Sequence, residues 1–344
     1  MMHGKKRTKT KNNMPDKYSH RERIEMTMGG EIPDRPAISV WRHFYHRESS
    51  AEMLAGAMLA FQEKFDWDFM KINPRASFHV EDWGNRLRWS TDEFRKHEKL
   101  EFAVKDINDW DRIAPLSMQK PVLAEHLKAI SMIKKKSDPE LPLLMTIFNP
   151  LGIARYLTGS TDTLKEHIDR DPKRIIDALE NITVTYEQFA IECLNAGADG
   201  IFFATLEWAS SDNMTYDDYI RFGRPYDLRI LNAVNESKFN MLHVCHTNNY
   251  LKELSDYPVN MINWDSSHPT NPNIDRAFEF SGDKTVVAGL DDKGWLWHSR
   301  PDEITGEIAR LKDKYKGKRF IFGPGCAVDP ELPYANLTAL RTTL

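Results

Sequence analysis

Residues 171–205 read DPKRIIDALENITVTYEQFAIECLNAGADGIFFAT, and this stretch decides the fold class. It opens on Asp171-Pro172, a capping residue followed by proline at the first helical position, where the missing N–H costs nothing. Helical periodicity runs over 172–196 and meets a stop signal at Asn195-Ala196-Gly197. DGIFFAT (199–205) follows at once, a short unbroken apolar run of the kind buried on both faces of a parallel sheet. One long helix feeding one buried strand is a unit that asks to be repeated.

Working outward, the same unit recurs. Apolar, β-branched runs stand at AISVW (37–41), DFMKIN (68–73), LPLLMTIF (141–148), FNMLHVC (239–245), VNMINWD (259–265), KTVVAGL (284–290) and RFIFG (319–323). Helical stretches fall at 51–65, 119–136, 215–236, 248–256, 301–315 and 333–344. Strands alternating with helices imply parallel β-α units, and eight strands imply closure into a (β/α)8 TIM barrel, an α/β single domain over 21–344. An open doubly wound sheet shares the same pattern. The longest departure is 78–118, where FHVEDWGNRLRWS alternates around Gly84-Asn85 and predicts a hairpin. It is either a lid over the barrel mouth or a surface excursion.

With 344 residues the chain is long for one domain but ordinary for a barrel. Its net charge of −4 lacks the basic excess of a nucleic-acid binder. No apolar run is long enough to span a bilayer. Residues 1–20 are basic and polar without the apolar stretch of a secretory signal, and are expected to be a disordered tail. The three cysteines are Cys193, Cys245 and Cys326. An odd, small number without an export signal points to reduced thiols and a cytoplasmic protein.

Barrel active sites gather at the C-terminal strand ends. Those ends carry Trp41 and His43, then Asn73, then Glu207 and Trp208, then His243, Cys245 and His246, then Asp265, then Asp291 and Asp292, and finally Cys326. Side chains two apart on a strand share a side, so His243 and Cys245 both face the axis. Cys326 follows the eighth strand at the same end. Two thiolates and an imidazole suit zinc, and three protein ligands leave the fourth position of a catalytic site. The competing reading makes the cysteines small buried hydrophobes and His243 a hydrogen-bonded core residue; the third, distant cysteine favours the metal. Cys193, mid-helix among Phe189, Ala190 and Leu194, reads as packing. His246, next on the strand, is expected to face away from Cys245.

RERIEMTMGGEIPDRPAISVW (21–41), NAGADGIFF (195–203), LHVCH (242–246), NWD (263–265) and GPGCAVDPELP (323–333) together resemble the uroporphyrinogen decarboxylase superfamily over nearly the whole chain after the tail. Within it the motifs are most similar to the zinc-dependent corrinoid methyltransferases, whose His-x-Cys pair and later cysteine fall here on His243, Cys245 and Cys326. The resemblance implies methyl transfer between a corrinoid, presented by a partner corrinoid protein, and a small-molecule acceptor, a thiol or a pterin nitrogen. True decarboxylases carry an arginine-rich substrate-binding run, where this chain has WRHFYHR (41–47), and an aspartate after the second strand, where it has MKINPRA (70–76). Tetrapyrrole decarboxylation is therefore the alternative, and a non-catalytic barrel that binds a corrinoid protein is a second.

On this reading Glu207 is a fourth ligand or a proton acceptor, against a plain surface carboxylate. Asp265 and Asp291 either orient a ligand imidazole or cap the helices that follow, the latter being the expectation for Asp291. Trp41, His43, Asn73 and Trp208 are the candidates for holding the cofactor. Trp41, Trp208, Trp264, Trp295 and Trp297 frame an apolar mouth for a flat corrin ring or, more ordinarily for tryptophan, simply pack.

Overall fold

In the computed structural model, residues 16–344 are described. Residues 1–15 of the expected tail lie outside the described residues. Seven parallel strands make the sheet, in the order β1 (Met70–Ile72), β4 (Leu143–Phe148), β5 (Gly200–Ala204), β6 (Met241–Val244), β7 (Met261–Trp264), β8 (Thr285–Leu290) and β9 (Phe320–Pro324). The remaining pair, β2 (Arg86–Arg88) and β3 (Glu98–Glu101), is an antiparallel hairpin outside it. Helices Ala51–Phe65, Pro121–Lys136, Pro172–Asn195, Pro301–Lys314 and Tyr334–Thr343 pack around the sheet. None of the described helices is long and apolar enough to cross a membrane.

The run read as a first strand does not form one. Residues 37–42 cross between the two edges of the sheet as single bridges, Ile38 to Phe322 and Arg42 to Val328. On the β9 side Phe322 N donates to Ala37 O (2.9 Å) and Ser39 N to Phe322 O (3.0 Å), and towards β1 Asp68 N donates to Ile38 O (2.9 Å). The segment thus closes the barrel as an irregular eighth stave. The physical reason lies in its N–H groups: Pro36 has none, and that of Ile38 is taken by the Asp68 carboxylate at 2.8 Å rather than by a ladder.

The opening stretch folds as read. Asp171 caps Pro172–Asn195 by accepting from Arg174 N, and Gly197 follows with φ +112°. The helix expected over 215–236 is broken into Tyr216–Phe222 and Arg224–Ala233 at Gly223, with Pro225 starting the second piece. Residues 248–256 form turns rather than a helix. Three longer helices were not anticipated, His20–Gly29, Pro150–Thr158 and Thr161–Arg170, capped by Ser19, Asn149 and Ser160, nor were the short helices Ile274–Phe278 and Trp295–His298. The hairpin lies eight residues further on than expected, because Phe78–Glu81 winds into a helical turn and Gly84, at φ +118°, leads out of it.

Strand alternation sorts the core into two layers. Ile201, Phe203, Leu242 and Val244 face the helices, whereas Phe202, Ala204 and Met241 join Trp41, Phe69 and Val287 inside the barrel. This parity carries His243 inward with Met241.

Candidate metal centre

A cavity of about 750 Å³ opens at the C-terminal strand ends, with Trp41, Phe202, His243, Cys245 and Cys326 in its lining. One ligand atom each from His243, Cys245 and Cys326 lies within 4.8 Å of the others. Tetrahedral zinc with ordinary bond lengths would set such atoms about 3.5–3.8 Å apart, so the three need only small adjustments. Cys245 Sγ stands 2.8 Å from His243 Nε2, so this pair would open by about 0.7 Å to admit the ion.

The imidazole is held for this task. His243 Nδ1 is 2.6 Å from Asn263 Oδ1, and Asn263 Nδ2 donates to Val287 O (2.7 Å) and Pro324 O (3.0 Å). Both amide hydrogens are committed, so the amide oxygen must face the ring, Nδ1 carries the hydrogen, and the Nε2 lone pair points into the cavity. Residues 243 and 263 are direct neighbours across β6 and β7, which places both side chains on one side. Phe202 stacks on the ring at 5.1 Å.

The thiols share a proton unevenly. A hydrogen bond from Cys245, aided by the charge of Lys71, holds Cys326 well below the ordinary thiol range. Donation to Cys326 together with burial pushes Cys245 well above it. The loop bearing Cys326 is pinned by Gly325, whose N–H donates to Asp292 at 2.9 Å and whose Cβ, were there one, would lie 2.8 Å from Asp265 Cα. Only glycine fits that approach.

Other expected residues divide. Trp41 and His43 line the cavity, as does Glu207, although Glu207 is already paired with Arg155 at 2.8 Å. Asn73 and Trp208 do not reach it. Trp208 is fully buried in the outer layer, because the chain turns at Leu206 (φ +52°) and changes the facing of the residues after it. Asn73 is buried and accepts from Lys71 Nζ at 2.9 Å. Asp265 does not orient His243, since Asn263 occupies the facing register position; its carboxylate accepts from Ser267 N (3.2 Å) and pairs with Lys293 (3.0 Å). Asp291 accepts from Gly294 N (2.8 Å) at the start of a helical turn. His246 does line the cavity, against expectation, because β6 ends at Val244 and the backbone turns left-handed at His246 (φ +66°).

Sequence reasoning missed Asn263 and Lys71, and named Asp292 at its strand end without giving it a role. Lys71 is buried in β1 with Nζ 4.6 Å over Phe202, and burial lowers its pKa to about 8. Burial, reinforced by the Cys326 thiolate, pushes Asp292 up to about 7. A charged or amide residue inside an otherwise apolar strand was the available signal for the first two.

Comparison with known proteins places this geometry among relatives. A family model described as uroporphyrinogen decarboxylase matches residues 28–344. The chain is 25% identical over 245 residues, 69% of itself and 68% of the relative, to methylcobamide:CoM methyltransferase MtbA of Methanosarcina mazei. It is also 25% identical, over 60% of each chain, to a uroporphyrinogen decarboxylase of Geobacter. Among solved structures, a methyltransferase from Methanosarcina mazei superposes with a TM-score of 0.81 at 20% identity, covering 95% of this chain and 98% of that one, a likeness of fold.

Proposed function

The chain belongs to the uroporphyrinogen decarboxylase family, and within it we propose that this protein moves a methyl group from a corrinoid to a small-molecule acceptor, most simply a thiol, with zinc held by His243, Cys245 and Cys326. The observation that carries this reading is the convergence of one imidazole and two sulfurs on a cavity wall, the imidazole turned by Asn263 so that Nε2 is free. Two thiolates, one neutral nitrogen and, among the described residues, no fourth protein ligand in the cluster form the donor set of a catalytic rather than a structural zinc site. When bound, zinc supplies Lewis acidity that favours the thiolate form of an incoming thiol.

The residues of this chain do the rest. Asn263 fixes the ligand imidazole, and Asp292 and Gly325 hold the Cys326 loop. Trp41 and Phe202, 5.5 Å apart edge to face, supply an apolar wall on which the methyl donor can be desolvated. A protein-bound corrinoid is the donor that fits the names of the methyltransferase relatives, and it would meet the cavity from its mouth. The excursion after β1 reaches that cavity through Leu87, Lys96, His97 and Lys99. Tetrapyrrole decarboxylation fits less well: among the described residues no arginine lines the cavity, and several substrate carboxylates need such partners.

The test uses zinc-loaded protein, free methylcobalamin and a panel of thiols, followed by the absorbance change on demethylation. Thiol-dependent demethylation that Cys245→Ser abolishes is the expected result. A zinc-loaded, folded chain that demethylates with no thiol or pterin acceptor overturns the reading.

A further inference from the structure

The reaction proposed above releases a proton when a thiol becomes a nucleophile, and the wall of the cavity carries a group built to receive it. Glu48 is fully buried. Its Oε1 accepts from His43 Nδ1 at 2.8 Å and from Phe44 N at 3.1 Å. Its Oε2 accepts from Ala76 N at 3.1 Å and lies 3.3 Å from His97 Nε2. His97 has no freedom left, because its Nδ1 accepts from Ser90 N at 3.0 Å. His43 is different. Among the described residues its only hydrogen bond to a side chain is the one to Glu48, its side chain is 20% exposed, and it lines the cavity with the two cysteines. Ring geometry turns Nε2 away from Glu48, and no hydrogen bond among the described residues engages it. The imidazole stacks on Tyr45 at 5.2 Å, which fixes its plane.

The chain path brings this pair beside the metal centre. Arg42 bridges Val328, so His43 stands on the stave next to β9, on the same wall as Cys326 and nearer the mouth. The other carboxylates of the cavity are less suited. Glu207 is committed to Arg155, Asp292 holds the Gly325 N–H, and Asp329, also in the lining, accepts from Glu331 N at 2.8 Å.

We propose that His43, oriented by the buried Glu48, is the proton acceptor of the methyl transfer, taking the proton of the incoming thiol on Nε2 directly or through one water. The inference rests on the methyl-transfer reading. The S–H bond breaks, its proton goes to His43 and its electron pair stays on sulfur. Sulfur uses that pair to bond to the methyl carbon as the carbon–cobalt bond breaks, and the electron pair of the broken bond stays on the cobalt of the corrinoid substrate. A histidine held by a carboxylate through one nitrogen and presenting the other is the arrangement general-base catalysis requires. Glu48 is the positioning residue. The titratable or charged groups facing the pair are Tyr45 and Arg42 from its own segment, Lys71 from β1, Arg75 just after it, His126 from the helix Pro121–Lys136 and His97 from the excursion, with Cys326 and Asp329 of the loop after β9 behind Tyr45.

The experiment measures demethylation of methylcobalamin by the zinc-loaded full chain with 2-mercaptoethanol, across pH, for wild type, His43→Ala and Glu48→Gln. His43→Ala should lower kcat by about 10²–10⁴-fold, lose the fall in rate on the acid side, and regain activity as free imidazole is added. Glu48→Gln should displace the pH profile. His43→Ala is the decisive variant should Glu48→Gln not fold. A wild-type pH profile in His43→Ala, or a loss of rate that imidazole does not restore in folded, zinc-loaded protein, overturns the proposal alone. A wild type that demethylates nothing removes the methyl-transfer reading beneath it.

Discussion

Replacing Asn263 by alanine should damage the site through the imidazole it holds, and the size of the effect follows from the hydrogen bonds lost. The amide accepts from His243 Nδ1 at 2.6 Å and donates to Val287 O and Pro324 O at 2.7 and 3.0 Å. All three partners are buried, so Asn263→Ala leaves one donor and two acceptors unsatisfied, each costing about 1–3 kcal/mol where no other partner replaces the lost one. A stability loss of about 3 kcal/mol is expected, measured by urea unfolding with the slope unchanged. Zinc affinity should fall by about 10–100-fold, the usual cost of removing a partner behind a ligand histidine, read by competition with a chromophoric chelator. Asn263→Asp separates the two effects. It keeps an acceptor for Nδ1 but sets a carboxylate against two carbonyl oxygens, so it should lose stability while holding zinc more tightly than Asn263→Ala. Zinc affinity in Asn263→Ala within twofold of wild type, in folded protein, would refute the reasoning.

Cys193 is buried in the helix Pro172–Asn195, and burial pushes its thiol well above the usual range. Cys193→Ser should cost about 1–3 kcal/mol for the newly buried hydroxyl and leave zinc content unchanged, while thiol labelling of native protein should spare this residue. Asp227 is buried, its Oδ2 accepting from Tyr219 (2.5 Å) and Tyr257 (2.9 Å), and burial pushes its carboxyl up to about 7. The folded state therefore holds this proton more tightly than the unfolded chain does, and stability should decline as pH rises from about 4 towards 7. Asp227→Asn, which can still accept both hydroxyls, should gain about 2 kcal/mol over wild type at pH 8 and little near pH 4.5, measured as Tm against pH. At Gly200 an added Cβ would lie 2.5 Å from Phe239 O, so Gly200→Ala should cost more than about 3 kcal/mol by forcing β5 away from β6, seen as loss of soluble protein or a large fall in Tm.

The barrel was legible wherever a strand is an unbroken apolar run, as in β4 to β9. It was less legible where tertiary hydrogen bonds override the local pattern. AISVW has the composition of a strand, but Asp68 takes the Ile38 N–H and leaves only single bridges. The alternation in FHVEDWGNRLRWS fitted a hairpin starting eight residues too early, since the Phe78–Glu81 turn has no strong periodicity of its own. Asn149-Pro150 and Ser160 were readable caps that short helices hid among apolar residues. At the site, His243 and Cys245 could be paired from two-residue spacing, and Cys326 from its place after the last strand. Asn263 could be found only by knowing the register of β7 against β6, which an apolar strand run does not encode. For the same reason Asp265, two residues on, was given a role that Asn263 performs. The orientation of His246 depended on a left-handed turn at a non-glycine residue, a conformation that sequence rarely announces.

The most direct test of the metal centre is X-ray absorption at the zinc edge on protein purified without added metal, beside Cys326→Ser. Close to one zinc per chain, with two sulfur neighbours at about 2.3 Å and nitrogen or oxygen at about 2.0–2.1 Å, falling to one sulfur in the variant, is the result the geometry requires. Protein that folds without binding zinc, or zinc with no sulfur neighbours, would contradict it.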